Sequence, residues 1–353
     1  LAIQLEAMAP GTDTMTPPAE VAASLAGMRR PVVICHVRPD ADALGSAFAV
    51  ARAWRDAGRT PTAAIPEGSL SQRLRFMHEW AEVPAASDDD FRAADGFVIV
   101  DTARRARCNV GEIARQGDWS TGRPVLNIDH HETNERFGTV NWIVPHAGST
   151  CELVYHLLQT AGRPIDAVTA SMLYAGIHSD LLGFSLPTTS ASALAAAADL
   201  VRLGADVGLL GDRLCRNLAT SEFELVRLVY ANTRSLEGGH LTYSTATFDE
   251  IQRTGCDATD IDDQISIPRS LNGSVISMLF TEGQPGRTRI NFRSRGDVTI
   301  VELAQKFGGG GHAQAAGAII EAGLQPTLDR VLPAAVEYLR SALAGSAGAA
   351  PRR

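Results

Sequence analysis

The sequence predicts an α/β fold: an N-terminal domain on a parallel sheet, joined by a helical connector to a smaller α/β C-terminal domain. Three observations carry this. First, three apolar runs each end in groups able to bind a metal. Val32-Val33-Ile34-Cys35 ends in His36, Phe97-Val98-Ile99-Val100 in Asp101, and Val125-Leu126-Asn127-Ile128 in Asp129-His130-His131. Second, strand-like and helix-like segments alternate over residues 29–185, the pattern of βαβ units. Third, residues 190–236 turn Ala- and Leu-rich with helical periodicity, and strand signals resume at 241. In an open parallel sheet, ligands collect at the carboxyl ends of the strands. The three runs therefore read as one site assembled from three places.

In chain order, residues 1–28 read as a flexible tail and residues 29–189 as the sheet domain. After His36, residues 42–54 form a helix with Asp42 near its N-cap, stopped by Gly58 and Pro61. Ser149-Thr150-Cys151-Glu152 fits a capping box that opens a helix to about residue 160. Another helix, 167–178, delivers Asp180 at its end. Residues 190–236 are the connector and 237–345 the second domain, with strands at 241–248, 274–281 and 287–293 and a helix at 327–343. Residues 346–353 form a Gly/Ala/Pro tail.

A chain of 353 residues suits two domains. The net charge of −8 argues against gripping long duplex nucleic acid by phosphate neutralisation, while short phosphorylated ligands stay open. Five scattered cysteines (Cys35, Cys108, Cys151, Cys215, Cys256), none in a C-x-x-C pair, suggest neither a disulfide framework nor a zinc knuckle. The start lacks a basic n-region, and no apolar stretch reaches the ~18 residues of a membrane span. A cytoplasmic protein is the expectation. A homodimer stays open.

Hydrolysis of a phosphate ester at neutral pH needs an activated water and neutralised phosphate charge, and a pair of divalent ions supplies both. His36, Asp40, Asp42, Asp101, His130 and Asp180 make a suitable ligand inventory. A mixed Asp/His set suits manganese better than calcium. Each motif has a plainer reading when taken alone. Asp40 and Asp42 serve as helix caps, Asp101 as a turn residue, and His130 and His131 as surface histidines.

Together, His36-x-x-x-Asp40-x-Asp42, Asp101, Asp129-His130-His131 and Gly176-x-x-x-Asp180-x-x-x-Phe184 resemble the four motifs of the DHH phosphoesterase superfamily. The resemblance covers roughly residues 30–185. It implies that His36, Asp40 and a bridging Asp101 hold one ion, and Asp42, Asp101, His130 and Asp180 the other. It further implies that Asp129 orients His130 from outside the metal shell, and that His131 contacts the scissile phosphate. Asp101, Asp129 and His131 are the catalytic candidates. The sequence departs from the family where Leu181 and Leu182 replace the usual threonine and glycine. His178 reads either as a pocket residue or as an ordinary helix histidine, and Arg104 and Arg105 as phosphate contacts or a solvated charge run.

Four consecutive glycines, 308–311, precede His312. Their unobstructed N–H groups can form an anion-binding nest, and a flexible turn is the plainer alternative. Arg287, Arg289, Arg293 and Arg295 precede them, with the first three on one face of a strand. The GGGGH-x-x-A-A-G pattern resembles the signature of the DHH-associated C-terminal domain, over about residues 240–345. By that resemblance Gly309, Gly310, Gly311 and His312 line the substrate cleft, with His131 contributing from the first domain, and Arg293 anchors the nucleotide. The two domains together resemble stand-alone nanoRNase/pAp phosphatases. The resemblance implies a phosphodiesterase with two Mn²⁺ ions, cleaving short RNA oligonucleotides or dinucleotides to mononucleotides and removing the 3′-phosphate of pAp. A cyclic or linear dinucleotide phosphodiesterase is the alternative. A catalytically silent nucleotide sensor is the reading from outside enzymology.

Overall fold

The computed structural model describes residues 15–65, 70, 72–108, 110, 119–186, 188–257 and 261–347. The chain divides into two compact units, Leu1–Asn217 and Leu218–Arg353.

The first unit opens with helix α1, Ala19–Gly27. Residues 1–28 were expected to be a loose tail, and this part of them is not. Val21, Leu25 and Met28 recur at helical spacing and are fully buried in the main core, which fixes the helix by its apolar face. Residues 1–14 lie outside the described residues.

Strands β1 (Pro31–Ile34), β2 (Thr62–Ala64), β3 (Gly96–Val100), β4 (Val125–Asp129) and β5 (Val140–Ile143) form one sheet in the order β2-β1-β3-β4-β5. Every neighbouring pair runs parallel. Its strands alternate between two cores. Val33, Val98, Val100, Leu126 and Ile128 face helices α2 (Ala41–Arg55), α5 (Thr150–Thr160) and α6 (Ala167–Asp180), which belong to the same core. Val32, Ile34, Phe97, Ile99 and Val125 face the other side, with Phe91 of α4 (Asp88–Ala93) and Trp119. A strand buried on both faces reads as a continuous apolar run, which is why β1, β3 and β4 were so visible. Helix α3 (Arg75–Ala81) and helices α7 (Ala191–Arg202) and α8 (Val207–Cys215) complete the unit.

In the second unit, α9 (Thr220–Asn232) leads into β6 (Arg234–Leu236), β7 (Leu241–Ala246) and α10 (Phe248–Thr254). Then follow α11 (Ser266–Arg269), β8 (Ile276–Gln284), β9 (Arg287–Ser294), α12 (Val301–Gln305), β10 (Gly310–His312), β11 (Ala315–Ile320) and α13 (Leu324–Ala347). The six strands pair in the order β10-β11-β9-β8-β7-β6, antiparallel except for β7 with β8. Phe280, Ile290, Phe292 and Ile320 pack with Leu303 of α12 and with Val331, Ala335 and Leu339 of α13. Leu279 and Ala246 pack on the other face with α9, α10 and α11. Helix α13 begins three residues before the predicted start and runs past Leu343 into the segment read as a tail.

Candidate metal centre

His36 follows β1, Asp101 follows β3, and His130 follows β4, so the parallel sheet delivers all three to one edge. Asp101 presents a different oxygen to each side. Its Oδ2 lies 3.4 Å from His36 Nε2, and its Oδ1 lies 3.7 Å from His130 Nε2. Asp40 Oδ2 approaches His36 Nε2 at 3.9 Å, and Asp180 Oδ2 approaches His130 Nε2 at 3.2 Å. Among the described residues, three overlapping sets have ligand atoms close enough to share an ion: His36-Asp40-Asp101, Asp42-His130-Asp180 and Asp101-His130-His131. All six predicted ligands thus gather in one cluster. Asp101 adopts a left-handed backbone (φ 50°) while almost fully buried, an unfavourable conformation for a non-glycine residue at the centre of the site.

The imidazoles are aimed from behind. His36 Nδ1 donates to Val37 O at 2.9 Å and His130 Nδ1 to Ala147 O at 3.3 Å, which leaves Nε2 of each ring facing the carboxylates. Asp129 does not hold the His130 ring, contrary to expectation. Its Oδ1 accepts the His130 and His131 backbone N–H groups and, at 2.7 Å, His131 Nδ1. Asn134 Nδ2 donates to Asp129 Oδ2 at 2.6 Å, so the carboxylate is fixed from both ends. The ring that Asp129 orients is therefore His131.

Helix α5 was expected from its capping sequence, but its part in holding the cluster was not. Its first two N–H groups, of Thr150 and Cys151, donate to the two oxygens of fully buried Asp42 at 2.7 and 2.8 Å. The Thr150 hydroxyl donates to Asp101 Oδ1 at 3.1 Å. A helix N-terminus suits a carboxylate by partial charge as well as by hydrogen bonds. The N-cap of α2 is Asp40, one position pair earlier than expected: its Oδ1 accepts the N–H groups of Asp42 and Ala43, leaving Oδ2 for the cluster. Gly176 of α6 lets that helix close on Asp42. A Cβ there would stand 2.3 Å from Cys151 Sγ and 2.8 Å from Asp42 Oδ1.

Other candidates are used differently. Arg105 donates to Ser120 Oγ and lies over the Trp119 ring, while Arg104 approaches Glu135, so both are engaged away from the cluster. His178 packs between Tyr174 and Phe184. Leu181 is fully buried and Leu182 is 63% exposed with φ 46°, so the two departures from the family pattern have opposite surroundings.

Electrostatics test whether the cluster suits metal ions. Burial pushes the Asp42 carboxyl well above the usual carboxylate range, and the charges of Asp101 and Asp180 push the same way. Burial also works against ionised Asp101, yet the His36 hydrogen bond and the charges of His130, His36 and His131 hold it down to about 2. Burial disfavours the His130 cation, but the Asp180 hydrogen bond and the charges of Asp42 and Asp101 hold its pKa up at about 10. Four carboxylates pressed together around three imidazoles repel one another, and divalent cations relieve that repulsion. The donor set fits.

In the second unit, the strand register sets His312, Ala315 and Arg293 in one row across β10, β11 and β9. The next row on the same face is Gly310, Gly317 and Asn291, so small residues floor the space beside the Arg293 and His312 positions. The glycine run is not a free nest. The N–H groups of Gly308 and Gly309 already donate to Gln305 O and Ala304 O. A Cβ at Gly309 would lie 2.2 Å from Gly317 O, and one at Gly311 2.4 Å from Ala315 O. Gly309 and Gly311 are required by close packing against β11, whereas Gly308 and Gly310 face open space.

Two family models match the chain: the DHH family, N-terminal domain, over residues 30–177, and the DHHA1 domain over residues 238–344. A Thermus thermophilus protein named bifunctional oligoribonuclease and PAP phosphatase NrnA is 32% identical over 326 residues, covering 91% of this chain and 94% of its own. The chain belongs to the DHH family. A Bacillus subtilis protein of the same name is 27% identical over 294 residues, 81% of this chain and 87% of its own. An exopolyphosphatase-related protein from Bacteroides fragilis shares the fold, with a TM-score of 0.78 at 20% identity over 91% of this chain and 95% of its own. As a DHH protein, the chain is a metal-dependent phosphoesterase. Among the described residues, no helix is long and apolar enough to cross a membrane.

Proposed function

We propose that this DHH protein uses two Mn²⁺ ions to hydrolyse very short oligoribonucleotides to mononucleotides, and that it removes the 3′-phosphate of pAp. The observation that carries the reading is the posture of Asp101, which turns one oxygen to His36 and the other to His130. That posture suits a carboxylate bridging two ions. His36 and Asp40 would complete one ion's shell, and Asp42, His130 and Asp180 the other's. Bound divalent ions supply an activated water and neutralise phosphate charge.

The chain's own groups do the rest. The Asp129 hydrogen bond at Nδ1 keeps the His131 ring in place and favours its protonated form, whose Nε2–H would donate to a phosphate oxygen as charge develops there. The His36 hydrogen bond and the charges of His130, His36 and His131 keep Asp101 ionised despite its burial. Arg293 and His312 would grip a terminal nucleotide over the floor of Ala315 and Gly317. The names of the Thermus and Bacillus relatives support the substrate class.

The test is a product time course with Mn²⁺ on labelled RNAs of two to five nucleotides, a 24-mer, pAp and cyclic di-AMP. Rapid turnover of the short RNAs and of pAp is expected, with a steep fall for the 24-mer. Comparable rates on the dinucleotide and the 24-mer would favour a general exonuclease. Preference for cyclic di-AMP would favour the cyclic dinucleotide reading.

A further inference from the structure

Glu152 is fully buried in the first turn of α5. Its Oε2 accepts the N–H of Gly148 at 2.7 Å, and its Oε1 has no hydrogen-bond partner among the described residues. A buried carboxylate with one oxygen unmet costs free energy. Capping α5 does not require it, because Ser149 Oγ already accepts the Glu152 N–H at 3.1 Å. The predicted capping box is therefore only half formed, and its acidic half reaches one residue further back.

That reach has a definite geometric effect. The N–H of Gly148 and the C=O of Ala147 belong to one peptide unit, which is planar and trans. Fixing the N–H on Glu152 aims the carbonyl in the opposite direction, where it accepts His130 Nδ1 at 3.3 Å. The plane is also confined. A Cβ at Gly148 would stand 3.1 Å from Leu181 Cδ1, 3.2 Å from Glu152 Oε2 and 3.3 Å from Ala193 Cβ. Buried Leu181, which departs from the family pattern, thus forms a wall of the same loop.

We propose that Glu152 is a positioning residue for His130, acting through the 147–148 peptide. It sets the ring so that Nε2 faces Asp101 and Asp180. The proposal rests on His130 being a metal ligand, as proposed above. Loss of Glu152 then loosens the ion shared by Asp42, His130 and Asp180 and spares the one shared by His36, Asp40 and Asp101.

The test is stepwise Mn²⁺ binding by calorimetry on full-length wild type, Glu152→Ala and Glu152→Gln. An outer partner of a metal-bound histidine typically contributes 10–100-fold in affinity. The alanine variant should weaken one of two binding steps by about that factor. The glutamine variant should restore it, because its amide oxygen can accept the same N–H. Unchanged affinities in Glu152→Ala, or equal weakening of both steps, would overturn the proposal. Equal damage in the glutamine variant would also overturn it, because the hydrogen bond would then not be the cause. Wild type that binds no Mn²⁺ would instead sink the metal reading. In that case the chemical shift of the His130 Nδ1–H group in metal-free protein decides the Glu152 proposal: a changed shift in Glu152→Ala, reporting a lost hydrogen bond to Ala147 O, supports it, and an unchanged spectrum refutes it. Should the alanine variant not fold, hydrogen exchange at the Gly148 amide of wild type replaces it, with protection expected and exchange at open-loop rates refuting the tether.

Discussion

The backbone N–H of Thr150 donates to Asp42 Oδ2 at 2.7 Å, across 108 positions of chain. A helix start thereby holds a carboxylate from a different helix, and the Thr150 hydroxyl holds Asp101 as well. The acidic groups are thus fixed before any ion arrives, which limits the reorganisation that binding requires.

Asp101→Ala should abolish turnover, by more than the roughly 100-fold that loss of an outer partner costs. The reason is that Asp101 belongs to two of the three candidate ligand sets. Steady-state rates with saturating Mn²⁺ check this, and near wild-type activity would refute the bridging role.

Asp129→Asn separates phosphate contact from metal binding. The amide cannot hold the His131 Nδ1 proton as a carboxylate does, so kcat should fall about 10–100-fold. Metal content by elemental analysis should stay at the wild-type value. Loss of an ion would move His131 into the metal shell.

Metal uptake should release protons. In the metal-free protein His130 is held up to about 10 from an ordinary 6.5, so at neutral pH an ion must displace its proton. The sign follows from the raised value. Protonated His130 favours the metal-free fold fully below about pH 6.5, and that contribution is lost as pH rises through about 10. Mn²⁺ affinity should therefore climb between pH 6 and 8, by about tenfold per unit for each proton displaced. Calorimetry in two buffers of different ionisation enthalpy measures the release, and a pH-independent affinity would contradict it.

Gly176→Ala should destabilise the protein by about 1–3 kcal/mol, the usual range for overpacking. The new Cβ would collide with Cys151 Sγ and with Asp42 Oδ1. Chemical denaturation gives the stability change, and weaker metal binding should accompany it.

Arg293→Ala and His312→Ala should raise KM for dinucleotides while leaving metal content unchanged. Each charge-assisted contact contributes ~1.5–3 kcal/mol, or roughly 10–150-fold. A fall in kcat alone, with KM constant, would assign these residues to chemistry instead of grip.

The parts of the site that were readable in the sequence are those tied to strand or helix ends, among them Asp40, Asp42 and Asp180 at the ends of helices. His36, Asp101 and His130 follow strands buried on both faces, whose apolar runs stand out in a single sequence. Thr150, Ala147 and Asn134 were not readable, because they act through a backbone group or a loop side chain with no motif of its own. Asp129 was visible as a residue but not in its aim, since which of two neighbouring rings it meets depends on the turn after β4. Strand β11 was missed for a different reason. Ala315, Ala316 and Gly317 have low strand propensity, and pairing with β9 and β10 imposes the conformation. Helix α1 was read as tail because its apolar positions acquire meaning only against a core built from later residues.

The left-handed backbone at Asp101 constrains its possible replacements. Asp and Asn are the side chains that most readily tolerate that conformation apart from Gly. Glutamate would keep the charge but meet the steric penalty, while Asn would keep the shape and lose the charge. A single-base change from an Asp to an Asn codon therefore keeps this backbone and removes the charge that faces both His36 and His130.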